Sequence, residues 1–207
     1  MLIKINDKNL SDVLKRAVAV LNDGGIVAFP TETFYGLGVK FNKEASLRKL
    51  YELKKRPEEK PMPLIIGSRE SLSMIAVFVN EIAESLMDKF WPGPLTLLLE
   101  AKKSLSPYLT ADTGRIAVRI PGESFALHLA KKAGFPITST SANISGMPPA
   151  EDADTVIRYF GKKIDMVIDG GKTAGRLPST IADVTEKKIK IVRKGAIARS
   201  VLDKHLP

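Results

Sequence analysis

The chain of 207 residues has no cysteine and only two histidines, His128 and His205. Disulfides, thiol catalysis and cysteine-based zinc sites are excluded together, and two histidines leave little for a transition-metal cage. No apolar run reaches the roughly 18 residues that a membrane span needs. Residues Met1 to Asp7 alternate like an edge strand and lack the apolar core of a signal peptide, so the expected location is the cytoplasm, with no membrane insertion. A Ser-His-Asp constellation is not expected either. His128 falls beside Leu127 and Leu129 on a helix and reads as core packing, and His205 lies near the end of the chain.

The familiar phosphate-binding signatures are missing as well. Gly170-Gly171-Lys172-Thr173 looks like the end of a P-loop, but the earlier glycine would have to stand at position 166, which is Met. Gly36-Leu37-Gly38 has Phe at position 41, where a dinucleotide fingerprint needs its third glycine. Any bound phosphate must be held by other means.

What is present is an ordinary globular composition, 44% hydrophobic and 27% charged. One domain is expected over residues 1–207, long enough to bury roughly 70% of its unfolded surface. Thirty-two Lys and Arg against 23 Asp and Glu give a net charge of +9. That excess fits either a solvated lysine-rich surface or a face for polyanions such as RNA.

Leu10, Val13, Leu14, Ala17 and Leu21 form a helical stripe that Gly24-Gly25 ends. Ile26 to Phe29 reads as a buried strand running into Pro30-Thr31-Glu32-Thr33, polar residues at a strand's carboxyl end, where open α/β folds bind ligands. A helix from Lys43 to Lys54, a strand from Leu64 to Ile66, a helix capped by Asn80 and a strand from Leu95 to Leu99 follow. Strands over 116–120, 136–138, 166–168, 180–184 and 188–192 then alternate with helices near 124–132 and 152–160. The last two strands are separated only by Thr185-Glu186-Lys187, a hairpin. The expected fold is α/β, a twisted sheet of mixed parallel and antiparallel strands with flanking helices.

Chemistry-bearing residues gather at the turns. Phe29 to Gly38 carries two threonine hydroxyls, a carboxylate and then glycines that let backbone come close to a ligand. Lys54-Lys55-Arg56-Pro57-Glu58-Glu59-Lys60-Pro61 ends a helix in four cations, either a solvated helix cap or, stiffened by its prolines, a phosphate clamp. Arg115 and Arg119 lie four apart on one strand and so share a face; Arg119, among apolar neighbours, needs a ligand carboxylate or an internal ion pair. Thr138 to Gly146 offers five hydroxyls and an amide within eight residues, too dense for one helix cap. Pro178-Ser179-Thr180 and Val192-Arg193-Lys194-Gly195 add two late polar strand ends. With no histidine base or thiol nucleophile in reach, the chemistry expected here is positioning and electrostatic stabilisation of a phosphate centre.

Taken in order and spacing, Pro30 to Gly38, Lys54 to Pro61, Arg119 to Pro121, Ser139 to Gly146, Ser179 to Asp183 and Arg193 to Gly195 resemble the YrdC/TsaC family of threonylcarbamoyl-AMP synthases. The resemblance spans nearly the whole chain. It implies a single YrdC-like domain with a basic concave face, and an ATP-dependent nucleotidyltransferase. The implied reaction joins L-threonine, bicarbonate and ATP into threonylcarbamoyl-AMP and pyrophosphate, with Mg²⁺ accompanying ATP and no protein metal site. Thr33, Arg119, Ser139 and Ser179 would surround threonine. Lys54, Arg56, Lys60, Arg115, Ser141, Asn143 and Arg193 would surround ATP, with Lys54 and Arg56 as the catalytic cations. The product would pass to a transferase complex that makes threonylcarbamoyladenosine in tRNA, and direct contact with tRNA or double-stranded RNA stays open. The chain departs from the family pattern at Lys60, where some members have Asn, and at Ile65-Ile66, near which some have His. Pro149 and Pro178 stand where a hydroxyl and an acidic residue are common, and the chain resembles the short form without an added C-terminal domain. The competing reading from charge alone is a non-enzymatic RNA-binding or ribosome-maturation protein.

Overall fold

The computed structural model describes residues 1–57, 59–174, 177–186 and 188–206. The strands are β1 (Leu2–Lys4), β2 (Val27–Pro30), β3 (Tyr35–Gly38), β4 (Leu64–Ile65), β5 (Leu95–Glu100), β6 (Arg115–Arg119), β7 (Ile137–Thr138), β8 (Thr140–Ser141), β9 (Met166–Asp169), β10 (Thr180–Asp183) and β11 (Lys190–Arg193). The helices are α1 (Leu10–Asn22), α2 (Glu44–Lys54), α3 (Glu81–Phe90), α4 (Pro107–Thr110), α5 (Phe125–Ala133), α6 (Ala153–Phe160) and α7 (Arg199–Leu202).

Local chemistry explains the main boundaries. The apolar stripe of α1 is buried at Val13, Leu14, Ala17 and Leu21, and the chain leaves the helix through Gly24 at φ +84°. Asn80 caps α3 by accepting a hydrogen bond from the Ala83 N–H at 2.9 Å. Lys55 ends α2 in the left-handed region at φ 50°, turning the chain toward Arg56 and Pro57. The expected C-terminal hairpin forms, with β10 antiparallel to β11; its turn residue Lys187, like Glu58 in the cationic loop, lies outside the described residues.

The strands divide between two sheets instead of one. Five run in the order β1-β9-β2-β3-β8 and six in the order β11-β10-β5-β6-β4-β7, both with mixed parallel and antiparallel pairing. β7 belongs to the second sheet and β8 to the first, so the chain crosses between sheets at Ser139. Two strands escaped the pattern reading, as did the four-residue helices α4 and α7. β3, Tyr-Gly-Leu-Gly, is unfavourable as a strand because glycine has no side chain to pack. Its glycines serve packing: a Cβ on Gly38 would lie 2.7 Å from the Thr138 carbonyl oxygen, and one on Gly36 3.2 Å from the Phe29 ring. β8 is two residues long and carries no apolar period.

The six-stranded sheet has two unlike faces because side chains alternate along a strand. Leu95, Leu97, Leu99, Ile116 and Val118 point into the larger core. Thr96, Leu98, Ala117 and Arg119 point the other way, into a cleft. Leu97 is fully buried beneath this floor. Its replacement by Ala is expected to cost about 2–4 kcal/mol, read as a lowered urea midpoint with unchanged slope.

His128 corrects an expectation. It lies off the buried face of α5, 41% exposed, with Nε2 2.6 Å from Glu123 Oε1. Phe125, Ala126, Leu129 and Ala130 take the core face, and spacing places position 128 between them and Lys131. His205 is docked against the body of the protein, edge-on to Phe90 at 5.3 Å with its carbonyl accepting from the Ser85 hydroxyl. No described helix is long and apolar enough to cross a membrane.

Candidate active site

A cleft of about 250 Å³ opens between the exposed floor of the six-stranded sheet and the β2–β3 turn. Thr31 and Thr33 come from that turn, Ser139 to Ser141 from the crossing between sheets, and Ser179 from the start of β10. Arg56, Arg119 and Arg193 reach it from three separate elements. A larger cavity, about 470 Å³, lies elsewhere and is lined by Glu44, Glu59 and Asp112 with Tyr108. Three carboxylates give it the wrong sign for a phosphate-bearing ligand.

Thr31 builds the turn. Its hydroxyl donates to the Phe34 carbonyl at 2.7 Å and accepts from the Thr33 N–H at 3.1 Å. This turn exposes the Thr33 hydroxyl, 3.1 Å from that of Thr31, to the cleft. It also sends Glu32 inward, where Oε1 accepts a hydrogen bond from Arg119 Nη1. The ion pair considered from the sequence is therefore present, within a cleft that also leaves Arg119 open to a ligand. Ser179 is fixed twice: its hydroxyl lies 2.9 Å from that of Thr96, and Arg193 donates to its carbonyl and its hydroxyl, the latter at 2.8 Å.

Thr33, Arg119, Ser139, Ser179, Arg56, Ser141 and Arg193 line one cleft. Lys54, Lys60, Arg115 and Asn143 stand outside its wall. Arg56 donates from Nε to the Lys60 carbonyl at 3.0 Å and from Nη2 to the Pro61 carbonyl at 2.8 Å, which pins the guanidinium on the proline-stiffened loop. The side chain of Lys60 is exposed; its carbonyl does the holding. Arg115 shares the face of Arg119 but lies at the far end of β6, paired with Asp183 and Glu186. Asn143 accepts from the Ser141 hydroxyl at 2.6 Å and donates to the carbonyls of Ile144 and Met147.

Lys54 is 2% exposed, and Nζ donates to the carbonyls of Ser141 and Asn143, the latter at 2.6 Å. The Ser145 N–H returns a bond to the Lys54 carbonyl at 2.9 Å. A helix-terminal lysine that spacing alone reads as solvated thus ties α2 to the hydroxyl-rich loop. Burial, assisted by the nearby Arg56 charge, lowers its pKa to about 7 from an ordinary 10.5. Between those values the unfolded chain binds more protons than the folded one, so stability rises with pH from about 7 to about 10.5. Urea titrations across that window should show this rise in wild type, with a slope of at most about 1.4 kcal/mol per pH unit. Lys54→Met should lack it, and equal slopes in both proteins would contradict the assignment.

Arg193 is also pushed below the usual arginine range, first by burial and then by Arg119 and Arg56. The three guanidiniums line one cleft, and of the three only Arg119 has a carboxylate partner among the described residues. Such a space attracts anions. The sequence pattern missed Thr96, although a single hydroxyl interrupting Leu95-Thr96-Leu97-Leu98-Leu99 is a signal for a floor residue facing a polar cleft.

The residues that meet in this cleft come from segments spread along the whole chain, and residues 19–195 match the sequence model of the Sua5/YciO/YrdC family, which bears the description "Telomere recombination". The chain belongs to the Sua5/YciO/YrdC family. A family relative in Pyrococcus abyssi, named threonylcarbamoyl-AMP synthase, is 36% identical over 99% of this chain and 60% of its own length. A protein of the same name in Escherichia coli O157:H7 is 34% identical over 86% of this chain and 95% of its own. The chain thus spans about 60% of the length of the longer, archaeal relative. Among solved members of the family, P. abyssi Sua5 complexed with L-threonine superposes with a TM-score of 0.93 at 35% identity, covering 100% of this chain and 62% of that one.

Proposed function

We propose that this chain is an L-threonylcarbamoyladenylate synthase, joining L-threonine, bicarbonate and ATP into threonylcarbamoyl-AMP and pyrophosphate. The observation that carries the reading is the convergence of Arg56, Arg119 and Arg193 with the hydroxyls of Thr33, Ser139, Ser141 and Ser179 in one cleft. It is supported by relatives that bear that name and by the threonine complex of P. abyssi Sua5.

In this reading Arg119 takes the amino acid's carboxylate, and Thr33, Ser139 and Ser179 surround its amine and hydroxyl. The threonine nitrogen attacks the carbon of carbon dioxide derived from bicarbonate, forming N–C and releasing a proton to solvent. A carbamate oxygen then attacks the α-phosphorus of ATP, and the bond from that phosphorus to the bridging oxygen breaks as pyrophosphate leaves. Both partners in this second step are anions, so cations that offset their repulsion supply most of the acceleration. Arg56 and Arg193 act directly on the phosphates, with Ser141 beside them. Lys54 and Asn143 act through the loop they hold, and Lys60 acts by fixing Arg56. Arg115, paired with Asp183 and Glu186, takes no direct part in this reading. Mg²⁺ arrives with the triphosphate as part of the substrate; among the described residues no group of three or more acidic or histidine side chains is gathered to hold it alone. The product is a mixed anhydride, suited to a downstream transferase that modifies tRNA.

Incubation with labelled bicarbonate, threonine and MgATP should move the label into an AMP-containing product. Label that stays out of the nucleotide fraction, together with salt-sensitive RNA binding that ATP and threonine do not alter, would favour the non-enzymatic RNA-binding alternative instead.

A further inference from the structure

Glu32 is an acidic side chain of the β2–β3 turn to which no role has been given. It is 18% exposed, and its Oε1 accepts a hydrogen bond from Nη1 of Arg119, itself 10% exposed. Its second oxygen, Oε2, is buried and has no hydrogen-bond partner among the described residues. A buried carboxylate beside a guanidinium ordinarily pairs through both oxygens, and an orphaned acceptor costs about 1–3 kcal/mol. Here the contact is made through one guanidinium nitrogen only, and Arg119 lines the cleft. The carboxylate is packed from behind: a Cβ on Gly122 would lie 3.5 Å from Glu32 Cγ and 3.7 Å from the Gly93 Cα. Gly93 is in turn held by its N–H on the Ile120 carbonyl at 2.9 Å, one residue beyond β6.

We infer that Glu32 is a positioning residue for the substrate's carboxylate: it clamps one corner of the Arg119 guanidinium and presents the remaining donors to the amino acid. The inference rests on the reading of Arg119 as the threonine-carboxylate partner. A one-point clamp serves this purpose better than a bidentate pair, which would occupy the fork that a ligand carboxylate needs. The Glu32 charge also supports Arg119 beside two unneutralised guanidiniums, Arg56 and Arg193, that would otherwise repel it.

The test is a set of steady-state KM values for threonine and for ATP in wild type, Glu32→Gln, Arg119→Ala and the double variant. Glu32→Gln keeps the volume and removes the charge. It should raise the threonine KM about tenfold and leave the ATP KM within about twofold. A KM does not depend on the fraction of protein that is folded, so lost stability does not imitate this split. In the Arg119→Ala background Glu32→Gln should add no further loss, because the group it acts through is gone, and should recover part of the affinity by removing a carboxylate left without its cation. A wild-type threonine KM in Glu32→Gln, or the same penalty with and without Arg119, overturns the inference while leaving the proposed reaction intact. A wild-type threonine KM in Arg119→Ala overturns instead the assignment of the carboxylate to Arg119.

Discussion

Arg119→Ala should raise the threonine concentration needed for half-maximal turnover by about 100-fold while the ATP requirement stays within a few-fold. Hydrogen bonds from a guanidinium to a carboxylate are charge-assisted, and the loss of the donor set is worth about 1.5–3 kcal/mol, or roughly 10- to 150-fold. Two features push toward the upper end. Arg119 is nine-tenths buried, so water replaces its contacts poorly, and Glu32 has already fixed the guanidinium, so little ordering remains to be lost. Removal of Arg119 also leaves the Glu32 carboxylate buried without a cation, which opposes the ligand's own negative charge. Arg119→Lys should recover only part of the loss, since an ammonium is one point of charge in place of a fork. Kinetics at fixed ATP with varied threonine read this out; equal losses on both substrates would undo the division of the cleft into two halves.

Arg56→Ala is expected to have the complementary effect, an ATP KM raised about 10- to 100-fold and a lowered kcat with the threonine KM nearly unchanged. Arg56 is anchored by the Lys60 and Pro61 carbonyls, so its charge is aimed before any nucleotide arrives. Wild-type protein should lose ATP affinity with added salt more steeply than Arg56→Ala, because one phosphate-facing cation is missing from the variant. The check is ATP-analogue binding measured at several ionic strengths, and parallel salt slopes would remove Arg56 from the phosphate site.

Much of this architecture could be read from residue order. Helix α1, the Asn80 cap and the C-terminal hairpin follow from local periodicity and turn chemistry, which act over a few residues. Arg119 stood out because a cation in Ile-Ala-Val-Arg-Ile must find a partner. Which partner it finds depends on a turn 87 residues away, and no local pattern carries that information. The same holds for Lys54, where an ordinary helix-end cation turns inward because two carbonyls of the Ser141–Asn143 loop happen to receive it. The split into two sheets was hidden for a third reason. β3 is rich in glycine and β8 is two residues long, so the strands that carry the chain across at Ser139 look like loop until their neighbours are known. Arg115 shows the opposite error of scale: sharing a face with Arg119 was correct, but four residue steps along β6 carry it away from the cleft and onto Asp183.

The most direct measurement is pyrophosphate release by the purified chain from MgATP in bicarbonate buffer, with and without L-threonine. The account predicts release that requires threonine and bicarbonate together. Release at the same rate without threonine, or none with all three substrates present, would contradict it.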